Sequence, residues 1–167
     1  MTTHRLEIAV KQLEFARKYM LSLIADIADE DWFRMPEGVT HVAWQVAHLA
    51  MAQYGLCLFR VRGRRDVDLQ LMPSDFRKKF SKGTIPIPDP AANPAPAEIR
   101  EVLNRVYRQS LQELSTYTDE QLDTPVDEPH AVFANKLGAI FFCSAHEMLH
   151  SGQIGILRRQ LGKNPIR

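Results

Sequence analysis

Apolar residues recur every three to four positions in four long stretches of the chain, and this period is typical of amphipathic helices. The first stretch covers about residues 3–28 and the second about residues 40–62. Thr40 is a plausible N-cap for the second helix, and Gly63 suits its C-terminal cap. The first half of the chain is therefore predicted to form two long helices, joined by a link of about eleven residues.

Two further helices are predicted in the second half. The third begins with Pro96 in its first turn and reaches Tyr117. The fourth begins after Asn135 and ends at Gly162, because the sequence Gly-Lys-Asn-Pro that starts there does not continue a helix. No stretch alternates apolar and polar residues with the period of a strand over more than a few residues. The pattern predicts an all-α protein, and the length of 167 residues predicts a single domain over residues 1–167.

The link between the second and third helices spans residues 64–95 and contains five prolines. Residues Ser74–Phe80 are typical of a short capped helix, and a Pro-rich tract of extended character follows them. A link of this length can run back along a helix of about 33 Å. It is interpreted as a surface crossover in preference to a recognition motif.

The second helix lacks charged residues from Gly38 to Phe59, a run of 22 residues that is long enough to cross a bilayer. Its histidines, glutamines and alanines instead favour a helix that is buried on most sides within a soluble bundle. Such a helix needs cover on its outer side as well, either from the Pro-rich crossover or from a second subunit.

Composition narrows the function classes. The chain is 45% hydrophobic and 25% charged, and its net charge of +1 gives no overall field for nucleic acid or an anionic membrane. Cys57 and Cys143 both lie in apolar stretches, which favours a reducing compartment over a disulfide framework. The N-terminal residues show no apolar signal segment. We therefore expect a cytoplasmic protein with a small-molecule substrate, no nucleic-acid partner and no membrane partner.

Three of the six histidines lie where chemistry is expected. His146 and His150 are four residues apart, so their side chains project from one face of the fourth helix. His48 lies on the apolar line of the second helix. Buried imidazoles are costly without partners, and a divalent metal ion would satisfy all three. The sequence therefore predicts a metal site at His48, His146 and His150 with at least one position left to water. The alternative is that each imidazole is a core residue hydrogen-bonded to its neighbours.

The segment His146 to His150 also reads as H-E-x-x-H, the pattern of zinc proteases in which Glu147 is the general base. The residues after His150 contain no His, Glu, Asp or Cys to supply a third ligand, so we do not expect a protease. Glu147 remains a candidate catalytic residue, as a base that acts beside the metal. An outward salt bridge is the alternative.

Two further features have open interpretations. Cys143 lies one turn before His146 and is either a small buried residue or a further ligand or nucleophile. Basic residues gather between Arg60 and Lys82, where they either bind a phosphate or carboxylate group or form a solvated helix end.

The segments HVAWQVAHLA (His41–Ala50) and HEMLHSGQIGILRRQLGKNP (His146–Pro165) resemble the second-helix and fourth-helix motifs of the DinB/YfiT superfamily of metalloenzymes. The resemblance implies a four-helix bundle in up-down-down-up order, with the long Pro-rich crossover between helices two and three. It also implies a divalent metal, most often nickel or zinc, held by His48, His146 and His150. Members are often homodimers that pair through bundle helices.

Characterised members of this superfamily include transferases and isomerases that depend on low-molecular-weight thiols such as bacillithiol or mycothiol. The resemblance thus implies a metal-dependent S-transferase, isomerase or hydrolase that acts on a small molecule. No motif for a thiol cofactor is evident in this sequence. The alternative is a non-catalytic metal-binding or scaffold bundle related to a stress or damage response.

Overall fold

The computed structural model describes residues 4–128 and 130–166. Four long helices dominate it and three short ones lie in the links; in chain order they are α1 (His4–Ile24), α2 (Val42–Gln53), α3 (Asp68–Leu71), α4 (Ser74–Lys79), α5 (Pro96–Leu114), α6 (Asp119–Asp123) and α7 (Lys136–Gln160). The described residues contain no β-strand, apart from an isolated bridge between Pro125 and Asn135. The all-α prediction is confirmed.

The helix that begins with α2 does not stop at Gln53. It continues through a π-helical segment, Tyr54–Phe59, and a last α-helical turn, Arg60–Arg62. Gly63 ends it with φ of +81°, a value that L side chains rarely adopt. The predicted helix of residues 40–62 with a glycine cap is therefore present, but the apolar period gave no sign of the wide π turn.

Contacts between the long helices fix their relative directions. Arg17 of α1 binds Glu147, and farther along Asp26 binds Arg158, so α1 and α7 run parallel. The N-terminal ends of α2 and α5 both meet Trp32, through Ala43 and Arg100, while Arg62 binds Glu113 near their C-terminal ends. These two helices are therefore parallel to each other as well.

Helix α2 runs antiparallel to α7. Gln45, near the start of α2, binds His150, whereas Gln53, eight residues later, is joined through Arg17 to the earlier Glu147. These directions agree with the up-down-down-up order that the family resemblance implies.

Three predicted helix ends are wrong, each for an identifiable reason. Helix α5 ends at Leu114 rather than at Tyr117, because Thr118 already caps the next helix, α6. His41 replaces Thr40 as the N-cap of α2, because its Nδ1 accepts the Trp44 N–H at 3.1 Å. Helix α1 ends at Ile24 rather than near residue 28, because the Leu23 carbonyl accepts a hydrogen bond from the Arg158 guanidinium. At the other predicted ends, Asn135 caps α7 and Pro96 opens α5.

The crossover covers the outer side of α2. Met72, Phe76 and Phe80 are buried in the same cluster as the apolar residues of α2. The His41 Nε2–H donates to the Ile87 carbonyl at 3.0 Å, which ties the Pro-rich tract to the start of the helix. The crossover therefore supplies one of the two sources of cover that the sequence allows, and the second subunit stays a prediction. Among the described residues, no helix is long and apolar enough to cross a membrane.

Candidate metal centre

His48, His146 and His150 meet between α2 and α7, as the sequence predicts. Each imidazole offers one ring nitrogen, and these nitrogens lie within 4.8 Å of one another. The Nε2 atoms of His146 and His150 are 3.3 Å apart. His48 is buried and the other two are partly exposed, so the group lies at the edge of the core with access from outside.

Two of the three rings are held by their second nitrogen. The His48 Nδ1–H donates to the Phe80 carbonyl at 2.7 Å. The His150 Nδ1–H donates to Gln45 Oε1 at 2.5 Å, and the Gln45 amide nitrogen in turn donates to Thr40. Because a carbonyl oxygen only accepts, the proton of each ring is on Nδ1 and Nε2 carries a lone pair; the Nε2 of His150 has the Nε2 of His146 within hydrogen-bond distance. This arrangement is the one that metal-ligating histidines commonly use.

Aromatic contacts fix the planes of the rings. Trp44 stacks on His48 with ring centroids 4.7 Å apart and an angle of 6° between the planes. The Trp44 indole N–H donates to Thr84 Oγ1 at 3.1 Å, so the crossover fixes this ring as well. His146 lies against Phe142 at 5.9 Å and has no described hydrogen-bond partner at Nδ1. It is the least restrained of the three imidazoles.

All three imidazoles are neutral at pH 7. Burial, together with repulsion from His48, lowers the pKa of His146 to about 4. Burial lowers the pKa of His150 to about 3, with added repulsion from His146 and His48. Burial also lowers the pKa of His48, although its bond to Phe80 acts in the opposite direction. Neutral imidazole is the form that binds a metal ion, so no proton has to be removed first.

The donor set fits a divalent ion. Two nitrogens that each lie about 2.05 Å from one tetrahedral ion are about 3.3 Å apart, which is the separation of His146 Nε2 and His150 Nε2. If the His146 ring also carried its proton on Nδ1, both atoms would present lone pairs to each other, an arrangement that a cation between them would relieve. Imidazole ligands suit zinc, nickel, copper and iron.

An open cavity of about 750 Å³ adjoins the three histidines. Its walls are largely apolar, with Met51, Leu56, Phe142 and Leu149 among them. Arg60, Lys82 and His130 also line it. The volume is sufficient for a small organic molecule beside the three imidazoles.

Glu147 faces away from this cavity. Its carboxylate binds Arg17, with Nε to Oε1 at 2.7 Å and Nη2 to Oε2 at 3.3 Å, and both side chains are almost completely buried. Arg17 also binds Gln53 and lies 4.6 Å from the centre of the Tyr107 ring. A salt bridge was the alternative for Glu147, and it is present, but it points inward. The role as a base beside the metal stays a prediction, and this ion pair opposes it.

The remaining candidates separate clearly. Cys143 is buried. Its contact with Cys57 and its burial raise the pKa of its thiol well above the usual range. A thiol of this kind is more typical of a small core residue than of a nucleophile. Within the basic cluster, Arg62 is buried in ion pairs with Asp68 and Glu113. Arg60 and Lys82, by contrast, reach the cavity.

Several residues that build the site were missed from the sequence. Gln45 and Trp44 lie within the quoted second-helix motif, yet nothing in their spacing marks them as partners of His150 and His48. The Phe80 carbonyl and Thr84 come from the crossover, more than thirty residues after His48 along the chain. His130 reaches the cavity from the loop before α7. The signal that was available is the charge-free run of α2, which indicates that either the crossover or a second subunit must cover it.

Comparison with known proteins supports the same assignment. The sequence profile of the DinB superfamily matches residues 12–154, a range that includes all three histidines and every long helix at least in part. No curated protein matches the chain. With the bundle and the three-histidine group at the positions described, the profile match shows that the chain belongs to the DinB superfamily.

Proposed function

We propose that this protein is a metal-dependent enzyme that binds one divalent ion through His48, His146 and His150 and acts on a small molecule in the adjoining cavity. One observation carries the proposal: the Nδ1 atoms of His48 and His150 are engaged by protein oxygens, so that their Nε2 lone pairs are presented beside an open cavity.

The ion, when bound, would supply Lewis acidity, which activates a weak acid such as water or a thiol as a nucleophile at neutral pH. The protein's own residues do the rest. Phe80 and Gln45 hold two imidazoles in the binding tautomer, and Trp44 fixes the plane of His48. The apolar walls exclude water from the body of the substrate. Within the superfamily, thiol transfer, isomerisation and hydrolysis are the reaction classes to consider first, with nickel or zinc as the ion.

A turnover screen tests the proposal. Metal-free protein is reloaded with Zn²⁺ or Ni²⁺ and assayed for thiol transfer to an electrophilic acceptor and for ester and amide hydrolysis. The matched control is His150→Ala, prepared in the same way. We expect turnover that requires the metal and is lost in the variant. Turnover that survives complete metal removal would exclude this mechanism, and no turnover in a metal-loaded protein would favour the non-catalytic alternative.

A further inference from the structure

The charges that line the metal-site cavity are all of one sign. Arg60 and Lys82 are positive, and no aspartate or glutamate is among the lining residues. The three imidazoles are neutral ligands, so a bound divalent ion would add two further positive charges. A cavity with this charge distribution attracts anions and disfavours cations.

Arg60 faces this cavity because of the π-helical segment. Arg60 follows His48 by twelve residues, and in an uninterrupted α-helix it would point about 120° away from the face that carries His48. In the structure the backbone N–H of Arg60 donates to the Gly55 carbonyl, and this is the i→i+5 hydrogen bond of a π turn. The wide turn takes up about one extra residue and returns Arg60 to the His48 face. Such segments are frequent at functional sites.

The Arg60 guanidinium is held in place. One nitrogen donates to the Glu128 backbone carbonyl at 3.0 Å, and the group lies 5.6 Å from the centre of the Phe133 ring. The nearest described carboxylate is that of Glu128, 3.7 Å away, but this side chain is 66% exposed and its charge is screened by solvent. Burial is the main cause of the lowered pKa of His130, and the positive charges of Arg60 and Lys82 lower it as well. The field of these two cations therefore reaches this part of the cavity.

The rest of the wall is apolar. Met51, Leu56, Phe142 and Leu149 line the same cavity as the histidines and the two cations. A ligand that satisfies both parts of the cavity has an apolar body and a negatively charged end. Guanidinium and ammonium groups both bind carboxylates well, and the planar guanidinium can do so with two hydrogen bonds.

We propose that the substrate is an apolar carboxylic acid, whose carboxylate is held by Arg60 and Lys82 while its reactive end faces His48, His146 and His150. This proposal rests on the proposed function, because it names the substrate class of that same site. It assigns a specificity role to two residues of the basic cluster and leaves the other residues of that cluster to structural ion pairs or the solvated surface.

The test compares benzoate with its neutral isostere benzamide. Binding is followed by Trp44 fluorescence, with Trp44→Phe as the blank, in metal-free and in Zn²⁺-loaded protein. We expect metal-free protein to bind benzoate about tenfold more tightly than benzamide, which is the effect of one charge-assisted contact. The preference should decrease as salt is added.

The double variant Arg60→Gln/Lys82→Gln should lose this preference and keep its affinity for Zn²⁺. The matched control is Lys78→Gln/Arg108→Gln, which removes the same net charge at exposed positions outside the cavity and should keep the preference. Equal binding of benzoate and benzamide to the wild-type protein, or a preference that persists in Arg60→Gln/Lys82→Gln, would overturn the proposal. Failure of the proposed function would instead be seen as Zn²⁺ binding that does not depend on the histidines, and the metal-free comparison would still decide the question of the carboxylate.

Discussion

His146 and Glu147 are neighbours on α7, yet they lie in opposite kinds of environment. Glu147 is sealed in the core, and Arg17 neutralises it through two contacts. His146 faces an open cavity, where its neighbours are two more imidazoles and no acidic group. The difference shows which buried polar group holds the fold together and which is available for chemistry. Glu147 has a charged partner within the chain, whereas His146 has only another imidazole among the described residues.

The largest effect is expected when the buried ion pair between Arg17 and Glu147 is broken. Glu147→Gln removes the charge that compensates Arg17 and leaves a buried guanidinium without a carboxylate. We expect a loss of about 3–5 kcal/mol in the free energy of unfolding, measured by urea denaturation. The double variant Arg17→Met/Glu147→Leu, which removes both charges, should recover most of this loss. If Glu147→Gln instead kept its stability and lost Zn²⁺ affinity, Glu147 would act at the metal and the contrast with His146 would be wrong.

The stability of the metal-free protein should depend on pH through His146, which faces the open cavity. The folded-state pKa of His146 is about 4, below the ordinary 6.5, so the unfolded chain binds the proton more readily. The stability associated with a neutral His146 is therefore fully present above pH 6.5 and is lost as the pH falls towards 4. For His146 it amounts to about 3 kcal/mol. Urea denaturation at several pH values between 7 and 4.5 measures it.

The matched comparison for this pH effect is His146→Gln. In that variant the slope of stability against pH should become shallower, while the contributions of His41, His48 and His150, whose pKa values are also lowered, remain. Identical slopes in the two proteins would mean that His146 is not buried as a neutral group.

On the open side, the partner of a ligand matters almost as much as the ligand. Gln45→Ala removes the acceptor that holds the His150 Nδ1–H, so the ring loses its fixed orientation. We expect the affinity for Zn²⁺, measured by competition with a chelating dye, to fall about 10- to 100-fold. Gln153 lines the same cavity without a described contact to an imidazole, so Gln153→Ala should leave the affinity for Zn²⁺ unchanged. A similar loss in both variants would indicate a general effect on the cavity.

The smallest effect is expected at the indole that supports His48. Thr84→Val leaves the Trp44 N–H without its acceptor, which should cost about 1 kcal/mol of stability and alter the Trp44 emission. Thr84→Ser keeps the oxygen and serves as the control. Equal behaviour of the two variants would show that the hydrogen bond from the crossover contributes nothing.

The sequence was sufficient where the signal was local. The four-residue spacing of His146 and His150 and the apolar line of His48 were enough to predict that the three imidazoles meet, and the glycine after Arg62 marked the end of the second helix. It was insufficient where two distant segments meet. The bonds of Phe80 and Thr84 to the site depend on the path of the crossover. The direction of Arg60 depends on a π turn, which leaves no trace in an apolar period of 3.6 residues.

The central claim is that the three histidines form one metal site, and metal content tests it most directly. Protein purified without an affinity tag is dialysed against Zn²⁺ or Ni²⁺ and freed of unbound metal, and its metal content is measured by elemental mass spectrometry. The same measurement is made on His48→Ala, His146→Ala and His150→Ala and on the exposed control His4→Ala. We predict one equivalent of metal in the wild-type protein and in His4→Ala, and almost none in the three variants of the site. Equal metal content in the wild-type protein and the site variants, whether negligible or substantial, would contradict the account.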